Sequence, residues 1–233
     1  MSIKSNSLHS SSWRSKLYDF INNNTHILYK NVLENLPDKS KILEVGIGNG
    51  ICVEKNAELI KTKKFEIDGI DIDTEYLEVC NERIVKCELT SQVTSRQQDL
   101  LKMDDTKKYD YIFFMESYPV IPVDIMKMMM DKCKTLLTSE GKVIFVHNLV
   151  DKKNWLVNFI KPRIVHIPFV QVDFGRLTTH TEFDDFIQSV NYKISQKTLV
   201  LYVDINTNYN LKLPNFVNSY YTMKQYSIEC MPK

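Results

Sequence analysis

The sequence predicts an α/β fold built on a doubly wound, mostly parallel sheet, and three observations carry that expectation. Short apolar runs recur at residues 42–45, 65–70, 111–115 and 143–146, as strands covered on both faces of a parallel sheet do. Stretches with apolar residues at helical spacing separate them. Glycines crowd directly after the first run: of six in the chain, three fall in Gly46-Ile47-Gly48-Asn49-Gly50.

In chain order, Trp13, Leu17, Phe20 and Ile21, then Leu28, Val32 and Leu36, fall at helical spacing, and Pro37 and Asp38 end that region. The run 42–45 is the first strand, followed by a helix to about Ile60. Residues 65–70 form the second strand. Thr74 is the expected N-cap of a helix that buries Leu77, Cys80, Ile84 and Cys87. Residues 93–97 make a weaker strand and 111–115 a strong one. Met126, Met129, Met130, Cys133 and Leu137 stripe a helix over 123–137, a pattern that suits core packing. After residue 150 the alternation weakens. Mixed pieces over 155–181 precede a helix at 182–190. Strands at 198–203 and 225–230 are joined by an Asn-rich loop, 207–219, long enough for mobility.

At 233 residues, with 43% hydrophobic and 25% charged side chains, the chain fits one globular domain able to bury a sizeable core. Within it, 1–38 is expected as a helical cap and 149–233 as a substrate-side insert with the last strands. No apolar run reaches the ~20 residues a bilayer span needs. The Ser- and Asn-rich start lacks the apolar centre of a secretory signal, so a cytoplasmic or nuclear location is expected, with no integral membrane contact. Five cysteines, Cys52, Cys80, Cys87, Cys133 and Cys230, include no Cys-x-x-Cys pair. That argues for reduced thiols and against a disulfide framework or a metal site. Thirty Lys and Arg against 29 Asp and Glu leave little electrostatic footprint for a nucleic acid. The expected substrate is a small molecule; the oligomeric state stays open.

Glycine at alternate positions lets the backbone turn sharply and lets a ligand approach more closely than a Cβ permits. A helix start beyond it is expected to aim N–H groups at that ligand. Asp71 follows Gly50 by 21 residues, at the end of the second strand, in Gly69-Ile70-Asp71-Ile72-Asp73. In a doubly wound sheet such an acid can accept both hydroxyls of a ribose. Loop and acid together point to a nucleoside-containing cofactor. The dinucleotide fingerprint asks for glycine or alanine where Ile51 stands, and the phosphate loop ending in Gly-Lys-Ser/Thr is absent.

The segment Leu43-Glu44-Val45-Gly46-Ile47-Gly48-Asn49-Gly50 resembles the first motif of the Rossmann-like (class I) S-adenosylmethionine-dependent methyltransferases. Gly69-Ile70-Asp71-Ile72-Asp73 resembles their second motif, Gln98-Asp99-Leu100 their third, residues 109–116 their fourth strand, and residues 136–143 the helix, turn and fifth strand. The resemblance covers about residues 40–148 as the cofactor-binding core. It implies a seven-stranded α/β/α sandwich with an antiparallel C-terminal strand, and S-adenosyl-L-methionine as cofactor. It assigns Glu44 to the methionine amino group, Gly46, Gly48 and Gly50 to the close approach, Asp71 to the ribose, Ile72 to the adenine face, and Asp99 with Leu100 to the adenine edge. For these acids the alternative roles are a backbone-satisfied strand end, a helix cap and a surface acid.

Ligands in such sheets lie beyond the carboxyl ends of the strands, which singles out Glu116-Ser117-Tyr118-Pro119 and Val146-His147-Asn148. Glu116 is a candidate partner of the substrate or of the cofactor amine. Tyr118, with Tyr18 and Tyr29 as further aromatic candidates, is expected to close over the substrate. His147 is a candidate base, with a structural histidine as the equal alternative. His180 lies where relatives build substrate contacts. The Asp/Asn-Pro-Pro-aromatic loop of many DNA amine methyltransferases is missing after residue 115. The function expected is methyl transfer to nitrogen or oxygen of a small molecule, an amine or lipid headgroup being preferred. The alternatives are an aminopropyltransferase, an NAD(P) oxidoreductase, or a cofactor-binding subunit without catalysis.

Overall fold

The computed structural model describes residues 25–150, 178–203 and 223–233. The expected first helical patch (Trp13 to Ile21), Tyr18, the mixed pieces from 155 to 177 and the loop 207–219 lie outside the described residues. Contacts divide the chain into two compact units: Met1–Met115 with Thr135–Gly141, and Glu116–Lys134 with Lys142–Lys233.

The first unit opens with helix α1 (Thr25–Asn35), which buries Leu28, Tyr29, Val32 and Leu33. Strands β1 (Lys41–Val45), β2 (Glu66–Asp71), β3 (Val93–Gln97) and β4 (Tyr109–Met115) run parallel in the order β3-β2-β1-β4. The chain steps from β1 to one side for β2 and to the other for β4, so the end of β1 is a topological switch point, the place where open α/β sheets hold ligands. Burial of four successive residues in β1 and again in β2 shows both faces covered.

The helix expected to reach Ile60 is two: α2 (Ile51–Lys55) and α3 (Ala57–Lys63). Asn56 interrupts them because its side-chain amide donates to the carbonyls of Cys52 and His26, at 2.8 and 3.1 Å. Such side-chain bonds compete with continuation of the helix. Helix α4 (Thr74–Lys86) is capped by Asp73 and not by Thr74: the Asp73 carboxylate accepts from the amides of Glu75 and Tyr76. The aspartate one position earlier reaches the N2 and N3 amides, as an N-cap must.

In the second unit α5 (Val123–Leu136, its last two residues in the first unit) buries Met126, Met130 and Cys133 of the expected stripe, while Met129 is half-buried and Leu137 already belongs to the following strand. Strand β5 (Leu137–Val150) reaches the second unit at Lys142 and pairs antiparallel with β8 (Met223–Pro232), which pairs antiparallel with β7 (Tyr192–Val203). A two-residue strand, β6 (Thr178–Thr179), runs parallel to the end of β5. It brings the strands among the described residues to eight against the seven expected, parallel in the first unit and antiparallel where β8 pairs with β5 and β7. Helix α6 (His180–Ser189) starts in a capping box between Thr179 and Glu182 and buries Phe183, Phe186 and Ile187. Among the described residues no helix is long and apolar enough to cross a membrane, and no cluster of residues could hold a metal ion.

Candidate cofactor and acceptor sites

At the switch point the chain turns through Gly46, Gly48 and Gly50, with φ of 82°, 59° and 73°. All three lie in the left-handed region that L side chains rarely adopt. Gly50 is also sterically required: a Cβ there would stand 2.7 Å from Cys80 Sγ and 3.1 Å from Cys80 Cα on α4. Gly69 on β2 makes room in the same way for Ile47, whose Cδ1 would lie 2.2 Å from an added Cβ. Arg83 fastens the loop from α4, donating to the Asn49 carbonyl at 3.2 Å while paired with Glu54 at 3.1 Å.

The loop's amides differ from the expectation that they point at a ligand. Gly46 and Ile47 donate to the Ile70 carbonyl, Gly50 to Ile47, Ile51 to Asn49 Oδ1, and Gly48 to Asp71 Oδ2 at 2.8 Å. A pyrophosphate needs such donors. A loop that spends five of them on the protein itself and stands beside two acids offers surface for close approach and acceptor oxygens, which suits a cation.

Asp71 is half-buried at the tip of β2, its Oδ1 accepting from the Asp73 amide at 3.0 Å. Each carboxylate oxygen has a second acceptor position, so two hydroxyls can still be bound. Ile72 follows with 76% of its surface exposed, a large apolar face beside an acid. Asp99 caps the 3-10 turn Leu100–Lys102 by accepting from the Leu101 amide at 3.0 Å, and Leu100 is buried. The cap role weighed from sequence for Asp71 belongs to Asp73, and Asp99 carries one of its own.

Glu44 is only 2% exposed, and its Oε2 accepts from the Tyr29 hydroxyl at 2.7 Å. Burial pushes its pKa up to about 8; the Tyr29 bond pulls it down and the Asp71 charge adds to the rise. Tyr29 is raised well above its ordinary value, by burial first and then by Glu44. The sequence offered Tyr29 as an aromatic face. Its measurable role in the structure is this hydrogen bond, which no spacing rule reveals across 15 residues. These side chains fit an adenosyl group bearing a cationic amino-acid tail: a turn open to close approach, an acid with free acceptor positions, an exposed apolar side chain, and a buried carboxylate.

The second unit holds the other candidates. Glu116 has φ of 56°, and its amide donates to the Val146 carbonyl at 2.8 Å. Its Oε1 accepts from Gln225 Nε2 at 2.8 Å. Burial raises its pKa to about 7, with the Gln225 bond opposing. Tyr118 is buried, with ring centroids of Phe145, His147, Phe183 and Phe186 at 5.6, 4.8, 5.2 and 5.3 Å. His147 is 0% exposed and also packs on Phe183 at 4.8 Å. Both therefore sit within an aromatic core of this unit, the structural alternative weighed for His147. His180 packs on Tyr226 at 4.8 Å and lies 3.5 Å from Lys197 Nζ, which pairs with Asp184. Gln225 was not singled out by the sequence; a lone glutamine in a C-terminal strand carries no signal until the strand register is known.

Comparison with known proteins agrees with this geometry. Residues 42–141 match the model of a methyltransferase domain family. A ubiquinone biosynthesis O-methyltransferase from Paraburkholderia phytofirmans is 23% identical over 179 residues, 76% of this chain and 75% of that protein. Among solved structures, the magnesium protoporphyrin IX methyltransferase of Synechocystis PCC 6803 with bound SAH superimposes at a TM-score of 0.61 with 13% identity, covering 100% of this chain and 90% of that one. A SAM-dependent methyltransferase from Thiobacillus denitrificans in complex with S-adenosyl-L-homocysteine gives 0.59 with 12% identity, covering 89% and 91%.

Proposed function

We propose that the chain, whose residues 42–141 match a methyltransferase domain family, is a class I S-adenosylmethionine-dependent methyltransferase that transfers a methyl group from S-adenosylmethionine to nitrogen or oxygen of a small-molecule acceptor. The observation that carries this reading is the pairing of the left-handed glycine turn with Asp71, whose carboxylate takes the Gly48 amide and keeps acceptor positions for a ribose. The internally spent loop amides speak against the NAD(P) alternative, whose pyrophosphate would find few donors.

The bound sulfonium supplies a methyl carbon already activated towards displacement. The chain's own residues bind and orient. Asp71 would hold the ribose hydroxyls, Ile72 and Leu100 the flat adenine, Asp99 its amino edge, and Glu44, once ionised, the ammonium of the methionine tail. Aligning reactants and excluding water supply most of the rate in a displacement of this kind. Glu116 would carry the acceptor side, while Tyr118 and His147 hold the aromatic core of the same unit together. An acceptor oxygen has support from the P. phytofirmans relative, which is named an O-methyltransferase. An amine acceptor remains the second reading, because one lone acid, Glu116, is also a suitable partner for an amine.

Calorimetry tests the cofactor half. Micromolar binding of S-adenosylmethionine, lost in Asp71→Ala, is expected; equal affinity in that variant removes the assignment. Transfer of labelled methyl groups into fractionated cell extract tests the acceptor half, and label recovered mainly in RNA or DNA would overturn the small-molecule reading.

A further inference from the structure

Glu44 lies wholly within the first unit, in surroundings that do not favour its charge. In the sheet it stands between Gly69 of β2 and Phe113 of β4, two neighbours without charge. Its side-chain hydrogen-bond partner among the described residues is the neutral hydroxyl of Tyr29. Tyr29 is itself buried, with its ring edge-on to Phe113 at 6.1 Å, so packing fixes where the hydroxyl points. Around the pair stand Asp71 on β2, Cys52 on α2, and Cys80 with Arg83 on α4. Arg83 is engaged with Glu54 and the Asn49 carbonyl. Burial pushes the Cys80 thiol up to about 12, so it stays neutral. Asp71 is a second acid. A carboxylate withdrawn from water with no cation beside it is costly, and such a group takes up a proton instead. An arriving ammonium supplies the missing positive charge and reverses that preference.

Resting on the reading of Glu44 as partner of the methionine ammonium, we propose that S-adenosylmethionine binding expels a proton from Glu44, and that Tyr29 is the positioning residue that holds the resulting carboxylate towards the ammonium. The proton leaves for solvent as the carboxyl becomes a carboxylate. The ammonium keeps its three hydrogens, so one positive charge replaces another. A hydroxyl has a single hydrogen to donate. Tyr29 therefore fills one acceptor position on Oε2 before and after ionisation. Oε1 carries the proton in the acid and receives an ammonium hydrogen in the complex. The Tyr29 bond favours the ionised form against burial, which brings the exchange within reach of neutral pH. Cofactor affinity is thereby tied to pH: it rises as the Glu44 midpoint is approached from below, and above it is limited by the ligand's own α-amino group, which loses its proton at about 7.7–8.0.

The proton count needs no variant. Calorimetry of S-adenosylmethionine binding at pH 7, in buffers of different ionisation enthalpy, should show roughly 0.8 proton released per site: about 0.9 from a carboxyl titrating at about 8, less about 0.1 taken up by the ligand amine. Affinity should rise about five- to tenfold from pH 6 to pH 7. No release, or an affinity flat over that interval, overturns the proposal and leaves the cofactor assignment standing. Absence of binding at every pH would instead defeat the cofactor assignment, and the proposal with it.

Tyr29→Phe separates positioning from packing, since it removes the hydroxyl and keeps the ring. In protein labelled with carbon-13 at glutamate carboxyls, the Glu44 resonance is identified by its loss in Glu44→Gln, folding being checked by circular dichroism. With no ligand present, its midpoint should rise by roughly one pH unit in Tyr29→Phe. At pH 7 that variant should bind S-adenosylmethionine about tenfold more weakly, and Glu44→Gln should show neither proton release nor the rise in affinity from pH 6 to pH 7. A midpoint that stays or falls in Tyr29→Phe overturns the positioning role, whatever the variant's stability.

Discussion

Replacing Glu44 by glutamine should flatten part of the pH dependence of stability, and the size of the effect follows from its burial. The ordinary glutamate value is 4.5, and in the fold Glu44 titrates at about 8. An acid whose folded pKa is raised is favoured in its neutral form. Its ionisation therefore begins to destabilise the fold as pH passes the unfolded value, and the loss grows until pH exceeds the folded one. At about 1.4 kcal/mol per pH unit, the penalty is roughly 1 kcal/mol at pH 5, about 3 at pH 7 and about 5 at pH 9. Glutamine keeps the shape and an oxygen for the Tyr29 hydroxyl but has no proton to lose. Urea denaturation at those three pH values should show the stability difference between variant and parent moving by about 4 kcal/mol in favour of the variant from pH 5 to pH 9. A constant offset at pH 4 is allowed, since the glutamine amide needs a partner of its own. Parallel pH profiles would refute the reasoning, for they would mean that Glu44 titrates alike in the folded and unfolded chains. The same coupling bears on function: near pH 7 most of the carboxyl is protonated, and holding an ammonium there requires the proton to leave.

Asp71→Ala should lower S-adenosylmethionine affinity at least tenfold and also reduce stability by about 1–3 kcal/mol, because the Gly48 and Asp73 amides lose their acceptor; calorimetry and urea unfolding read the two effects separately. Gly50→Ala is expected to cost about 1–3 kcal/mol from its positive φ alone and more from the Cys80 contact, so Cys80→Ala should restore only part of the loss in unfolding experiments. Tyr118→Ala should destabilise by roughly 3–5 kcal/mol, since the ring is buried among Phe145, Phe183 and Phe186; a normal denaturation midpoint with depressed turnover would instead assign it to the acceptor. Stability should also fall between pH 5 and about 7 from Glu116, whose folded value is raised by burial, and Glu116→Gln should remove that limb.

The glycine turn, the acid at the tip of β2 and the parallel strands were legible because each is written in a local signal. Three glycines at alternate positions permit a left-handed turn whatever surrounds them, and apolar runs of strand length must find two covers. The cap of α4 was misread by one residue, since Asp73 and Thr74 are both good caps and only the path of the chain decides which oxygen reaches the amides. The break at Asn56 was missed because the rival acceptor, the His26 carbonyl, comes from another helix. By itself, then, the sequence determined the fold class and the glycine turn after the first strand, which rest on backbone freedom and hydrophobic period. Only the tertiary structure decided the ionisation of Glu44, the burial of Tyr118 and His147, and the pairing of Gln225 with Glu116. Desolvation, close packing and strand register bring together residues far apart in the chain, and none of the three has a period along it.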